Sequence, residues 1–550
     1  MVYKFRFILS VFIWLVAFQP IVAVCQPEIA WQRCYGGSKT DRFFDALITN
    51  DNGVIASIEH SSSDGDLEGY PASSGWIIKY NAAMEVEWEQ HYGTEDCPIA
   101  IYKIIELPNG NLAFGGTNAG YATCTDAVGG DGDYAVLITD PYGNLITSGT
   151  AGSMGTDYFS DFIHTQDNGF LVTAESLSEG GDIPFHYYGD MGSTDVVIYK
   201  LDSMLNLQWL RNLGGSSYDV VGGSPFEISR GHYVVQIGTT SNDHDLAGSG
   251  IIGGKRWVIE LDSVGTIIKE NFISVLDVPN GDGSSFMFNN QIAVVGGGEF
   301  QTGLFPIPEG HANAEGYIGF MDTSTLAFTH FYHWGGTGLD FLANSAVDEY
   351  GNYYFLGYSR STNYDLPGNY NMGETFDYWI LSTDSNFQLR WSRNFGGADP
   401  CGDLRCSSYY GDLLYKDNML YAFIANTVPD VLPDMDIQCG HLNPDGDNSS
   451  DAWLVAFSVP VDISEVQEPI DLLQIFPNPT TGIFQLSFSE PLSEMMTIEV
   501  FDITNRRVYI SDMVGMQTME LNLEHVQSGM YVVRATTASG LISLKNIVIQ

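Results

Sequence analysis

The chain has 550 residues, with 68 acidic against 22 basic side chains and a formal net charge of −46. A surface of that sign argues against nucleic acid as a partner, because phosphate binding needs clustered Lys and Arg. With 60 glycines and 13% aromatic residues, short strands and turns are favoured over helices, and an all-β body is expected.

At the N-terminus, Lys4 and Arg6 precede an apolar run from Phe7 to Phe18 and then Ile21-Val22-Ala23-Val24-Cys25-Gln26. This pattern reads as a secretory signal over residues 1–25, cleaved near Gln26. The run is too short to favour a membrane span, so no transmembrane segment is expected. A lipoprotein reading would make Cys25 the lipidated residue, although Val24 is bulkier than such a site prefers. Without Lys4 and Arg6, 20 basic side chains face 68 acidic ones, a formal charge of −48. Such a surface serves solubility and self-repulsion, or it binds divalent cations.

From there a turn recurs at intervals of about sixty residues. It is written Asp51-Asn52-Gly53, Pro108-Asn109-Gly110, Asp167-Asn168-Gly169, Ser229-Arg230-Gly231, Asn289-Asn290-Gln291, Tyr350-Gly351-Asn352 and Asp417-Asn418. Each turn joins two strands, A and B, with alternating apolar residues, as Phe43 to Thr49 and Val54 to Ser61 show in the first unit. Strand C follows a longer loop: Trp76 to Tyr80, Tyr134 to Thr139, Val196 to Leu201, Trp257 to Leu261, Tyr317 to Met321, Tyr378 to Thr383 and Trp453 to Phe457. Asp140, Asp202, Asp262, Asp322 and Asp384 close it, a residue type whose side chain accepts from backbone N–H two positions on.

Seven four-stranded units that cannot each bury both faces predict a seven-bladed β-propeller over residues 26–461. The seventh unit lacks a Trp-bearing D strand. Ile29-Ala30-Trp31-Gln32-Arg33 supplies one, resembling Leu207-Gln208-Trp209-Leu210-Arg211 and Leu389-Arg390-Trp391-Ser392-Arg393. The N-terminal strand is therefore expected to close the ring, leaving no open edge.

Six cysteines remain after Cys25: Cys34, Cys97, Cys124, Cys401, Cys406 and Cys439. In an exported chain they suggest disulfides. Alternating strand direction places all six on the face that carries the D-to-A and B-to-C loops. Cys97 with Cys124 is the expected pair in unit two. Cys439 with Cys406 or Cys401 would repeat it in unit seven, with the remaining cysteine of those two meeting Cys34.

On that face the D-to-A loops carry Gly36-Gly37-Ser38-Lys39-Thr40-Asp41, Gly214-Gly215-Ser216-Ser217-Tyr218-Asp219 and Gly335-Gly336-Thr337-Gly338-Leu339-Asp340. They precede strands rather than helices, so a phosphate cradle is not expected; glycine serves positive φ and aspartate a loop hydrogen bond. The B-to-C loops pair Asp64 with Asp66, Asp243 with Asp245, and Asp445 with Asp447. Such carboxylates are candidate calcium ligands, or they order their own loops as Asx-turns. Loop aromatics, among them Tyr121, Phe185, Tyr187, Tyr188, Tyr364 and Tyr370, either pack on neighbouring loops or meet a glycan or protein ligand. Gly-x-Ser-x-Gly, His-Glu-x-x-His and Cys-x-x-Cys do not occur, and no catalytic residue is assigned.

Residues 462–473 read as a linker and 474–550 as a second small β domain. Its run Ile475-Phe476-Pro477-Asn478-Pro479-Thr480-Thr481-Gly482, the later Ser528-Gly529-Met530-Tyr531-Val532-Val533-Arg534 and the closing Lys545-Asn546-Ile547-Val548-Ile549-Gln550 resemble the type A C-terminal sorting domain of Bacteroidetes type IX secretion. The resemblance implies an immunoglobulin-like sandwich, recognition by the type IX machinery, and export through the periplasm to the cell surface or medium. Pro477, Asn478, Pro479, Gly482, Gly529, Tyr531 and Lys545 would carry the sorting motif. The expected role is a non-catalytic binding or adhesion module. The alternative is a carbohydrate-active enzyme, a lyase or glycosidase, working on the loop face or in the central channel.

Overall fold

Alternation of apolar and polar residues on either side of each turn builds hairpins, and hairpins in series build sheets. The computed structural model describes residues 26–70, 74–94, 96–118, 132–186, 193–250, 254–274, 282–299, 314–366, 375–397, 411–427, 435–441, 449–459, 473–488, 496–502, 507–513, 517–523, 525–526, 528–537 and 542–550. The expected signal, residues 1–25, and most of the expected linker lie outside these residues. The chain divides into two compact units, Met1–Pro460 and Val461–Gln550.

The first unit is all-β and propeller-like. In sequence unit one, strands Asp41–Ile48, Val54–His60, Gly75–Tyr80 and Val86–Thr94 pair in the order A-B-C-D. Its D strand continues into unit two through Gly93 opposite Pro98 and Thr94 opposite Cys97. Units three, five and six repeat the four-stranded order. Unit four does so with its A strand split into Asp219–Val221 and Phe226–Ser229. In the last sheet, Asp412–Lys416, Met419–Thr427 and Ser450–Ser458 are completed by the N-terminal strand Glu28–Tyr35, which runs antiparallel to Ser450–Ser458. That strand stands where the Trp-x-Arg pattern places it, with Trp31 opposite Ala456.

Neighbouring sheets share cores. Phe43, Ile58 and Trp76 of unit one pack with Phe423 and Leu454 of the last sheet, and unit one's other face packs Ile77 against Ile101 and Leu137 of unit two. The series continues through Val136 with Val172, Ile198 with Ile259, Val258 with Val294, Ile318 with Leu381, and Ile380 with Val455. Trp76, Trp257, Trp379 and Trp453 of the C strands are buried in these interfaces. An aromatic of that size adds more apolar area than any other residue type, so each anchors its seam.

The turn that announces each unit has a physical reason for both of its residues. Asn52 takes φ of 64° and Asn168 φ of 65°, the left-handed region that asparagine tolerates. A Cβ on Gly53 would lie 2.3 Å from Lys79 Nζ, because that buried lysine donates to Asp51 across the turn at 2.9 Å. Lys200 makes the same 3.0 Å bond to Asp167. The aspartates after strand C behave as expected: Asp140 accepts from the N–H groups of Tyr142 and Asn144, both at 2.9 Å.

In Val461–Gln550, a sheet of Leu473–Phe476, Ile483–Phe488 and Thr518–Asn522 faces one of Arg507–Met513, Met496–Asp502, Gly529–Thr537 and Ile542–Ile549. Phe484, Leu486, Ile498, Val500, Leu521, Val533 and Ile547 form one core between them. Among the described residues no helix is long and apolar enough to cross a membrane.

Candidate functional site

The two loop motifs fold against each other. Asp41, which opens strand A, accepts from Gly37 N at 2.8 Å and from Ser62 Oγ at 2.7 Å. Asp64 accepts from Ser38 N at 2.8 Å and Asp66 from Gly36 N at 3.2 Å. In unit four, Asp219 accepts from Gly215 N at 2.7 Å, Asp243 from Ser216 N at 2.8 Å and Asp245 from Gly214 N at 3.2 Å. Unit six repeats the clasp through Asp340, Asn363 and Asp365.

The predicted calcium residues Asp64, Asp66, Asp243 and Asp245 thus hold the neighbouring D-to-A loop rather than only their own turn. Among the described residues no group of three or more His, Cys, Asp or Glu is arranged to hold a metal ion. Asp445 and Asp447 lie outside the described residues.

The glycines need room more than positive φ. Gly36 has φ of 144°, but Gly214 and Gly335 do not lie in that region. A Cβ on Gly214 would lie 2.6 Å from Asp219 Oδ2 and 2.7 Å from Asp195 Oδ1; one on Gly335 would lie 2.4 Å from Glu315 Oε2 and 2.6 Å from Asp340 Oδ2. Each such glycine covers a pair of buried carboxyl groups, one opening strand C of a unit and one opening strand A of the next. Sequence reading missed the strand C partners, which stand out only as an acid at the start of an apolar strand. Burial pushes Asp41, Asp157 and Asp219 up to about 6. Glu315 is pushed up to about 9 by burial first and then by the charges of Asp340 and Asp365. At the last seam, His441 sits 3.3 Å from Asp451 and 3.7 Å from Asp66. Its hydrogen bond to Asp451 holds the imidazole above the ordinary histidine range.

A second cluster lies on the A strands. A register shift after Phe43, Ile101 and Phe159 puts Asp45, Lys103 and Asp161 at matching places in three successive units. Lys103 Nζ is 2.8 Å from Asp45 Oδ1, and Asp45 Oδ2 accepts from Ile104 N at 2.7 Å. Asp412 of the last sheet accepts from Ala46 N at 3.4 Å and from Leu413 N at 2.7 Å. Burial alone would lower the Lys103 ammonium, but Asp45, Asp161 and Asp412 outweigh it and hold it above the usual lysine range. Asp412 is pushed up to about 7, by burial and then by the charge on Asp45.

The disulfide pattern departs from expectation. Cys439 joins Cys34, not Cys406 or Cys401. The reason is register: Cys34 faces Trp453 near the end of the N-terminal strand, and Gln32 of that strand donates to Asp436 O at 2.8 Å and accepts from Gln438 N at 3.0 Å, which holds the loop carrying Cys439 beside it. Cys97 also lies in a disulfide. Cys124, Cys401 and Cys406 lie outside the described residues, as do Tyr121, Tyr187, Tyr188 and Tyr370. Tyr70, Phe185, Tyr218 and Tyr364 are exposed on the clasped loops.

In the tail, the Pro477-Asn478-Pro479-Thr480 turn is stitched to the last strand. Val548 N donates to Asn478 Oδ1 at 3.0 Å, Thr480 N to Val548 O at 2.9 Å and Gln550 N to Thr480 O at 2.8 Å. Gly482 has φ of 112° and receives Leu523 N at 2.7 Å. Gly529 pairs with Ile549, the buried Tyr531 with Ile547, and Val533 with Lys545. Motif residues far apart in sequence therefore meet on one strand pair.

No curated protein matches this chain. Among solved structures, the phage phi92 endosialidase is similar with 8% identity and a TM-score of 0.36, over 95% of this chain and 87% of that one. An α-L-arabinofuranosidase from Fusarium graminearum is similar with 13% identity and a TM-score of 0.34, over 66% of this chain and 92% of that one. At these scores neither likeness bears on the fold or activity of this chain. Residues 474–550 match the model of the secretion system C-terminal sorting domain, and with the stitched Pro-Asn-Pro turn and two-sheet core in place, this chain carries a type IX sorting tail that sends it to the cell surface or the medium.

Proposed function

We propose that residues 26–461 form a seven-bladed propeller, exported by the tail, that binds a glycan or protein ligand on its loop face without catalysis. Support for the ring comes from the N-terminal strand paired into the last sheet and from cores shared between successive sheets. The observation that carries the binding role is the clasp. The loop carboxylates are spent on backbone N–H groups, which stiffens the face; Tyr70 stacks on His91, while Phe185, Tyr218 and Tyr364 are exposed. Rigid aromatics on a fixed frame suit stacking on sugar rings or a protein surface at little entropic cost.

A second reading, a carbohydrate-active enzyme, draws on Asp412, whose carboxyl near 7 could give up or hold a proton beside Asp45. A glycan and peptide binding screen of the full chain separates the two. Saturable binding without turnover, weakened about tenfold by Tyr218→Ala or Tyr364→Ala, supports the binding role. Hydrolysis or elimination products that vanish in Asp412→Asn overturn it.

A further inference from the structure

Each D strand presents one residue to the seam with the next unit, and pairing register identifies it. Trp88 faces Lys79, Trp209 faces Lys200, Trp391 faces Ser382 and Trp31 faces Ala456. All four indoles pack on the core shared with the following sheet. Two positions on, a polar side chain caps the turn of that next sheet: Arg211 donates to Val264 O at 2.9 Å and Arg33 to Met84 O at 2.7 Å. Trp209 itself donates through Nε1 to Ser263 O at 2.9 Å.

Between units two and three the same register delivers Thr147, opposite Ile138, and two positions on Gly149. Leu205 packs over Gly149, 3.2 Å from where a Cβ there would lie, but Thr147 does not reach across the rest of the space. A cavity of about 480 Å³ opens there, lined by Ile138, Thr147, His164, Phe170, Ser203 and Met204 among others. At the seam where Trp31 and Arg33 are present, the matching cavity measures about 270 Å³. Elsewhere other side chains stand at the tryptophan position: Lys269, opposite Glu260, reaches Thr323 O at 3.3 Å, and His330, opposite Phe320, stacks on that ring with centroids 4.5 Å apart.

We propose that this cavity is a binding site for an indole-type ring, seated where the chain's own tryptophan stands at other seams, with its N–H donated to the Ser203 carbonyl. Ser203 is the counterpart of Ser263, each following the aspartate that closes strand C. Phe170 and Ile138 offer the apolar wall, and His164 lies edge-on to Phe170 with ring centroids 5.6 Å apart. The volume falls in the range of small-molecule pockets.

The test titrates the full chain with free indole by calorimetry. One saturable site with Kd of about 0.1–1 mM is expected, the range reached by a ligand of this size. N-methylindole, which lacks the donor, is expected to bind about fivefold more weakly. Thr147→Trp supplies the indole from within and is expected to weaken binding at least about tenfold while raising the melting temperature. If that variant does not fold, Thr147→Met occupies the same space and carries the same expectation. Absence of saturable binding, or unchanged affinity in a folded Thr147 variant, overturns the proposal.

Discussion

Cys34 and Cys439 are separated by 405 positions in sequence, and a disulfide brings their Cα atoms to 5.7 Å. The bond ties the first strand of the chain to a loop of the last sheet, directly above the strand pair that joins them. Trp453 Nε1 and Gln438 N both donate to Gln32 Oε1, at 3.0 Å each, so the same junction is held by hydrogen bonds.

Replacing both cysteines by serine should lower stability by about 2–4 kcal/mol, because the opened chain regains conformations the bond forbids. Melting with and without reductant measures it. Equal melting temperatures would mean that the strand pair alone secures the junction.

Stability should rise as pH falls from about 7 to about 5. Asp41, Asp157 and Asp219 titrate near 6 and Glu175 near 7 in the folded chain, above their values of 3.8 and 4.5 elsewhere. Between those limits the folded state binds more protons than the unfolded one, so their stabilisation is complete below the unfolded value and is lost as pH rises through the folded one. His60, His91, His164 and His330, lowered by burial, act in the opposite sense but are outnumbered by the raised carboxyl groups, which also include Glu315, Asp340, Asp412 and Asp451. Melting across this range should show a gain of about 3–6 °C at the acid end. A fall instead would mean that the carboxyl pairs are ionised in the folded chain.

Asp219→Ala should cost about 3 kcal/mol, since it strips acceptors from Gly215 N, Ser241 Oγ and Thr239 Oγ1, all buried. Asp243→Ala, on the exposed side of the same clasp, should cost about 1 kcal/mol. Denaturant titration ranks the two, and the reverse order would contradict the clasp.

Lys103→Met leaves Asp45 and Asp412 facing each other without the cation between them. The Lys103 side chain keeps 38% exposure, so solvent moderates the loss to about 2 kcal/mol. Adding Asp45→Asn should recover part of it, and a double-mutant cycle reads the coupling. A coupling of zero would place Lys103 outside the cluster's energetics.

The strand plan was legible because its signals are local. Asn52-Gly53, Asp140 and the apolar C strands each report on neighbours a few residues away. The pairing of the Trp31 strand into the last sheet was legible too, since the Trp-x-Arg pattern repeats along the D strands. The clasp was not, because Asp64 bonds to Ser38 N across two loops and its spacing equals that of a metal loop. Nor was the partner of Cys439, which register rather than sequence distance selects. The carboxyl pair of Asp195 and Asp219 and the empty place at Thr147 become visible only when strands of adjacent units are aligned.

The most direct measurement concerns where the chain goes without its tail. A version ending at Asp471 should fold, melt as the full chain's first unit does, and stay within the cell envelope, while the full chain reaches the surface or the medium. Surface display of the truncated chain at the level of the full one would contradict the account.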